Sequence, residues 1–551
     1  MKENQEMVVW KTIGVLLLLF SFTSFLTNPS PWLTTILPPH LLLPLLVSLL
    51  GLITLYWLNT VWIQPQRVRW VLKRQGIYGP TPSSLLYGNL AEMQRIQAAA
   101  AAAAATSMEA SSRGGFLAHD YTSTLFPYFE KWRKEYGCIY TYSTGNKQHL
   151  YVNNPEMVKE MNQSMSLVLG KPTYVTKRLS PMLGNGLLRS NGQLWSLQRK
   201  IIAPQFFMDK VKHMLNLMLG SAERLVRKWE ESIDAQGGET AEIAVDEDLR
   251  NLSADVISRA CFGSSYNKGR QIFSKLRTLQ NVISSQSYLF GFPTFGKNNG
   301  IASLEVEIET LIWKAVKERD SSSSSEERDL LQCILEAAIN DENMSEDSSK
   351  KFIVDNCKNI YFAGHEATAV AAAWCVMLLA LHPEWQSRVR EEIGDDSPDA
   401  EGISKMKTLT MVIHEVLRLY PPGAFVSREA LEETKIGHIT VPKGVCLWTL
   451  IPTLHRDPEV WGPDANEFKP ERFANGVSGA CKTPQVFVPF GVGPRLCVGR
   501  NFAMFEIKVV LCAIISKFSL SLSPKYKHSP AFRMIVEPGE GVHILVERLK
   551  K

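Results

Sequence analysis

The chain has 551 residues, 45% hydrophobic and 21% charged, a mixture that fills a large globular core and excludes a disordered or fibrous protein. Its net charge of +5 comes from scattered Lys and Arg rather than a basic stripe, which excludes a nucleic-acid-binding protein. Nine cysteines, an odd number with no CxxC pair, exclude a disulfide framework and place the body in a reducing compartment.

Two apolar stretches open the chain, residues 7–26 and 41–58. The second carries no charge and, at about 1.5 Å per helical residue, is long enough to cross a hydrocarbon core of ~30 Å. Tyr56, Trp57 and Trp62 stand near its exit, where interfacial aromatics are favoured. Arg67, Arg69, Lys73 and Arg74 follow, so the positive-inside rule puts the rest of the chain in the cytoplasm. Residues 7–26 contain Lys11 and end before Asn28-Pro29-Ser30-Pro31. They read as a second span of a hairpin, an interfacial helix or a cleaved signal peptide. The expected division is a membrane anchor over residues 1–75 and a single catalytic body over 76–551.

Gly79-Pro80-Thr81-Pro82 marks a rigid hinge where the body begins. The low-complexity segment 98–115 starts with an alanine run that lacks an apolar face, so it is expected as an exposed helix or mobile insert. Residues 139–142 and 149–152 alternate as strands. Residues 211–231 and 305–319 carry apolar residues at helical spacing, and Ser321–Ser325 is a solvated loop. Residues 355–381 form a long apolar stretch, and residues 420–473 are proline-punctuated turns and short strands. The body is therefore mainly α with small β-sheets.

One segment concentrates the chemistry: Pro489-Phe490-Gly491-Val492-Gly493-Pro494-Arg495-Leu496-Cys497-Val498-Gly499-Arg500. An extended apolar run, 486–490, leads into a glycine-rich loop and then an apolar helix from about Asn501. A cysteine at that junction meets free backbone N–H groups and the positive end of a helix dipole, both of which favour thiolate. The glycines let the backbone approach a large flat ligand, and Arg495 can neutralise a buried carboxylate. Neither His365-Glu366 nor His414-Glu415 completes an HExxH zinc motif, and the chain has no recognisable flavin or nicotinamide module.

The segment resembles the haem-binding signature of the cytochrome P450 superfamily, Phe-x-x-Gly-x-Arg-x-Cys-x-Gly, at every fixed position. The resemblance covers residue 79 to the C-terminus. It implies a cytochrome P450 fold, haem as cofactor, Cys497 as the axial thiolate ligand of iron, Arg495 on a propionate and Phe490 shielding the sulfur. It also implies propionate contacts from Trp195 and Arg199 in Trp195-Ser196-Leu197-Gln198-Arg199, from Arg428, and from His455 in His455-Arg456-Asp457-Pro458. Glu415, Arg418 and Arg472 resemble the family's buried Glu-Arg-Arg triad. Electrons would come from a separate membrane partner, NADPH–cytochrome P450 reductase, with the protein in the endoplasmic reticulum membrane. Arg495, Arg500 and Lys508 can contribute to a basic docking face.

In Ala363-Gly364-His365-Glu366-Ala367-Thr368, the small Ala-Gly pair would let a helix bulge over the haem. Glu366 fits the family's acidic position, but Ala367 stands where the family's oxygen-activating threonine is expected. Thr368 lies one residue on, about 100° around an ideal helix. Proton delivery is therefore expected through Glu366, ordered water, Thr368 or a polar group of the substrate. The departure also admits a non-oxygenating isomerase or dehydratase, and a non-catalytic haem sensor is a further alternative. Residues 132–160, 245–266, 357–369 and 443–473 resemble the plant cytochromes P450 that oxidise gibberellins and related ent-kaurane diterpenoids. An apolar, carboxylated diterpenoid is thus the expected small substrate, C-13 hydroxylation of a gibberellin being one such reaction. Oxidation or epoxidation of another terpenoid or a steroid, or fatty-acid hydroxylation, stays open. Pocket-lining candidates are 180–188, 362–366, 423–426 and 541–542.

Overall fold

The computed structural model describes residues 39–84, 86–111, 119–163, 168–263, 266–285, 299–320, 330–339, 345–394 and 398–549. The first apolar stretch and the serine run at 321–325 lie outside the described residues. Helix α1, Pro39–Leu58, continues through a wide turn, Asn59–Ile63, into Gln64–Arg74. Val47–Arg74 is long and apolar enough to cross a membrane, and almost none of it is buried against the body. Leu49, Leu52, Leu55 and Tyr56 are exposed along it, the apolar surface of a candidate membrane anchor. The alanine run lies within α2, Leu90–Ser111. Leu90 and Met93 dock its first turn in the core, whereas Ala101, Ala102 and Ala103 are exposed.

Besides two short hairpins, Thr434–Ile436 with Ile439–Val441 and Pro530–Phe532 with Val536–Pro538, the strands are β1 Ile139–Thr144, β2 Lys147–Val152, β3 Leu169–Gly170, β4 Thr240–Ala244, β5 Phe425–Ala430, β6 Cys446–Leu450, β7 Phe518–Leu522 and β8 His543–Arg548. One sheet has the order β1-β2-β6-β5-β3, all neighbours antiparallel except the parallel pair β2–β6. A second has the order β4-β8-β7 and is wholly antiparallel. Both are small beside the helices, as the sequence predicts.

The helices that build the site are α3 Gly192–Ile202, α4 Val245–Phe262, α5 Tyr266–Ser285, α6 Glu346–Leu381, α7 Lys407–Leu419 and α8 Arg500–Ile515. Helix α6 has 36 residues. Ser345 caps its N-terminus by accepting from the Ser348 N–H, and Glu346 and Asp347 sit in the first turn, where negative charge complements the dipole. It ends at His382, before Pro383. Beyond Phe352 nearly every side chain is buried, so α6 is the central core helix and not a second membrane span. It runs as regular α-helix through Ala363-Gly364, without the expected bulge. Gly364 instead answers a packing demand: a Cβ there would lie 2.6 Å from the Ile257 side chain on α4.

Two other expectations are revised. The helix over 211–231 is two helices, Met208–His213 and Leu215–Ala235, because Met214 leaves helical backbone (φ −83°, ψ 1°). Residues 486–490 are a 3-10 turn followed by loop, not an extended strand. None of the nine cysteines is in a disulfide.

The region before the cysteine loop is fixed by buried charge. Arg418 on α7 grips both Glu415 oxygens at 2.7 Å, and donates to the carbonyls of His455, Ala465 and Glu467 at 2.9, 2.6 and 3.0 Å. The Lys469 N–H donates to Glu415 at 2.8 Å, and Arg472 lies 3.5 Å from the same carboxylate. Each buried charge thus has several partners, the condition under which such a cluster is tolerated.

Candidate active site around Cys497

The loop that presents Cys497 is built by its own backbone. Gly491 and Gly493 adopt φ of +70°, a region open to glycine and strained for other residues. The Cys497 N–H donates to the Phe490 carbonyl at 2.9 Å and the Leu496 N–H to Gly493 at 3.0 Å, closing the loop before α8 starts at Arg500. Cys497 opens onto a cavity of about 410 Å³, whose wall also includes Phe490, Val498 and Phe502. Burial pushes its thiol up, against the opposing pull of the Gly499 backbone, Arg199 and Arg500. The Gly499 backbone favours the thiolate, as the sequence predicts, but does not outweigh burial. A metal cation at the sulfur would, since coordination deprotonates a thiol outright.

Four cations line the same cavity: Lys171, Arg199, Arg428 and Arg495. Among the described lining residues there is no Asp or Glu to balance them. Arg495 stacks its guanidinium 4.4 Å from the Trp195 ring centroid and donates to Ser190 O at 3.0 Å and Asn191 Oδ1 at 2.7 Å. Its Nε is buried without a hydrogen-bond partner. Arg199, 5.7 Å from the same ring, donates to Leu496 O at 2.9 Å, tying α3 to the cysteine loop. Burial lowers Arg428 to about 10. Burial with Arg428 and Arg199 nearby lowers Arg495 to about 9, and burial with Arg428 and Arg495 nearby lowers Lys171 to about 7. A set of buried, mutually repelling cations with an orphaned guanidinium N–H fits a group that brings two carboxylates. The apolar wall and the cysteine fit the rest of a haem. Lys171 was not anticipated; Gly170-Lys171-Pro172 offers only a lysine at the end of β3, with no periodic or motif signal.

The opposite wall is the stripe Ile360, Ala363, Gly364, Ala367, Thr368 and Ala371 of α6. Thr368 is the one hydroxyl-bearing residue among the described lining residues. Glu366 is not on this wall. It is buried behind it, its Oε2 held by Arg277 at 3.2 Å and Arg250 at 3.4 Å. Both arginines also pair with Glu537, at 3.0 and 3.1 Å. Glu366 therefore does not line the cavity itself, and its Oε1 is buried without a hydrogen-bond partner. Asp355 and Asn359, near the start of the stripe, bind the overlying loop through the N–H groups of Asn185 and Leu188 at 2.7 and 2.8 Å. Leu187 and Leu188 of that loop line the cavity, as do Gly423, Phe425 and Val426. Of the pocket candidates, residues 180–186, Phe362, His365, Glu366, Ala424 and 541–542 do not.

Two further expectations are corrected. His455 does not line the cavity. Its ring is buried, with Nδ1 3.3 Å from Arg418 O and Nε2 accepting the Val488 N–H at 3.0 Å, so it braces the approach to the cysteine loop. Burial lowers it to about 3, which keeps the ring neutral near pH 7. Lys508 is buried, its Nζ donating to the carbonyls of Ile403, Ser404 and Met406 at 3.1, 3.0 and 3.3 Å, and so cannot serve a docking face. Arg500 is exposed. No cluster of His, Cys, Asp and Glu suited to a metal ion occurs among the described residues.

Comparison with known proteins agrees with this geometry. The family model described as cytochrome P450 matches residues 114–545. Cytochrome P450 714A2 of Arabidopsis thaliana is 52% identical over 501 residues, covering 88% of this chain and 94% of that protein. Cytochrome P450 714C2 of Oryza sativa subsp. japonica is 49% identical over 534 residues, covering 95% and 100%. Cytochrome P450 714B3 of Zea mays is 48% identical over 510 residues, covering 90% and 94%.

Proposed function

The chain belongs to the cytochrome P450 family of haem-thiolate monooxygenases, and on that premise we propose that it hydroxylates an apolar, carboxylated diterpenoid of the gibberellin class. The observation that carries the proposal is the cavity itself: apolar walls, one cysteine, one threonine hydroxyl, and a rim of four cations with no lining acid. When bound, haem supplies the centre at which dioxygen is activated, with a thiolate whose electron donation favours O–O cleavage.

In this reading Cys497 is the metal ligand, and Phe490 fixes it through the backbone bond at 2.9 Å. Lys171, Arg199, Arg428 and Arg495 hold the two propionates, with Trp195 as the platform on which Arg495 stacks. Four cations against two carboxylates leave a positive surplus, which favours an acidic substrate over a neutral one. The apolar wall accepts a rigid hydrocarbon skeleton, each buried Å² contributing about 25 cal/mol. Ala367 provides room and Thr368 the hydroxyl that holds a proton at the cavity wall. Glu366 can supply that proton only after leaving Arg250 and Arg277.

Electrons come from a reductase partner, and the chain's own candidate contact is Arg500 at the foot of the cysteine loop. We assign that partner as NADPH–cytochrome P450 reductase in the endoplasmic reticulum membrane, with α1 as anchor and the body in the cytoplasm. The test is a spectral titration of the membrane enzyme with ent-kaurane-type acids and their methyl esters. The acids are expected to shift the haem absorbance at lower concentration and to yield hydroxylated product with reductase and NADPH. Equal titration by acid and ester would overturn the carboxylate reading.

A further inference from the structure

The cavity stripe of α6 advances by three and four residues from Ile360 to Ala371. The next residue on that face is Trp374, fully buried and about one helical turn beyond the wall. Trp374 stacks on Tyr420 with ring centroids 4.2 Å apart and planes within 16°. Tyr420 follows α7 directly, and Leu417, Pro422 and Gly423 around it line the cavity. An indole and a phenol in van der Waals contact thus lead away from the reactive space.

The Tyr420 hydroxyl uses both its donor and its acceptor on titratable rings: it lies 2.6 Å from His119 Nδ1 and 3.2 Å from His528 Nε2. His528 Nδ1 in turn lies 2.8 Å from Tyr526 OH, and Tyr526 is only partly buried. Burial holds His119 at about 3 and His528 at about 4, so both rings are neutral bases near pH 7. One assignment of protons satisfies every contact: Tyr526 donates to His528 Nδ1, His528 Nε2 donates to Tyr420, and Tyr420 donates to His119 Nδ1. The neighbouring Tyr121 also stacks on Tyr420, at 5.4 Å, but its hydroxyl donates to Leu419 O, a carbonyl that cannot take the proton. The Arg456 guanidinium sits 4.5 Å over the Tyr121 ring and opposes positive charge both there and at His119.

We propose that Trp374, Tyr420, Tyr526 and the two histidines form a protective path that draws oxidising equivalents from the haem centre when substrate is absent, and stores them on Tyr420 as a neutral phenoxyl radical. The haem centre gains one electron from Trp374, the indole cation gains one from Tyr420, and the Tyr420 hydroxyl proton moves to His119 Nδ1. Repair reverses the balance. An electron passes from Tyr526 to Tyr420, the proton on His119 Nδ1 returns to the Tyr420 oxygen, and the Tyr526 hydroxyl proton moves to His528 Nδ1. A one-electron reductant in solution, such as a thiol or ascorbate, then restores Tyr526, which takes its proton back from His528 Nδ1.

The experiment uses the full-length holoenzyme without substrate, mixed with an organic hydroperoxide as oxidant and freeze-quenched for electron paramagnetic resonance. Absorbance of each sample reports haem loading, so a failure of haem binding is distinguished from a failure of the path. Wild type is expected to give a tyrosyl signal whose splitting changes with ring-deuterated tyrosine. Tyr420→Phe, which keeps the stacked ring, is expected to abolish it, and Trp374→Phe to delay it, with faster haem bleaching in both. A tyrosyl signal of equal yield and rate in both haem-loaded variants would overturn the proposal, as would a wild-type signal unaffected by the label.

Discussion

Replacing Glu415 with Gln tests whether the buried triad holds the architecture that carries the cysteine loop. Glu415 and Arg418 have no solvent exposure, and the two carboxylate oxygens receive Arg418 Nε and Nη2 at 2.7 Å and Lys469 N at 2.8 Å. Glutamine keeps one acceptor oxygen and turns an NH2 group toward the guanidinium, so it loses at least one charge-assisted bond and leaves Arg418 uncompensated. Such bonds contribute about 1.5–3 kcal/mol each, and breaking a buried pair from one side costs about 3–5 kcal/mol. The three carbonyls that Arg418 retains place this site toward the lower end, about 3 kcal/mol, or roughly two decades in the folded-to-unfolded ratio. The control is Glu471→Gln, whose pair with Arg388 is about half exposed on both sides, and which should shift stability by less than ~1 kcal/mol. Urea unfolding followed by haem absorbance and tryptophan fluorescence provides the comparison. Equal midpoints for the two variants would refute the reasoning.

Gly364→Ala is expected to destabilise by about 1–3 kcal/mol, through the clash with Ile257. Ile257→Ala in the same chain should recover part of the loss beyond its own cavity cost, measured as a double-mutant cycle. Lys171 carries a pH signature in the haem-free protein. Its folded value, about 7, lies below the ordinary 10.5, so the unfolded chain binds more protons between those limits and stability rises with pH across that window. Lys171→Met should flatten the rise in the urea midpoint between about pH 7 and 9; an unchanged slope in the variant would contradict the assignment. Thr368→Ala is expected to lower the product formed per NADPH consumed while leaving the reduced carbon-monoxide spectrum unchanged. Unaltered coupling would remove Thr368 from proton handling.

The cysteine loop was legible because its chemistry is local: the glycines, Arg495 and Cys497 lie within a few residues and their spacing alone specifies the turn. The triad was legible through its resemblance to the family's, Glu415 and Arg418 standing one helical turn apart and Arg472 in a separate downstream segment. What escaped depends on contacts between distant segments. Lys171 reaches the cavity from β3 and meets Arg428 and Arg495 only in the folded chain. Glu366 reads as an acid beside the haem, yet Arg250 and Arg277, themselves paired with Glu537 from another segment, hold it behind the wall. His455 carries a plausible residue type, but its environment is set by Arg418 and Val488. The bulge expected at Gly364 was a local inference from small residues, and the pressing neighbour is Ile257 on another helix.

The central claim is that Cys497 binds haem iron in a cavity whose rim cations accept the propionates. The most direct measurement is the reduced carbon-monoxide difference spectrum of the membrane fraction, wild type beside Cys497→Ser. The account predicts a Soret band at the long wavelength of thiolate ligation in the wild type and its loss in the variant. A wild-type protein that folds without haem, or a variant that keeps the long-wavelength band, would contradict it.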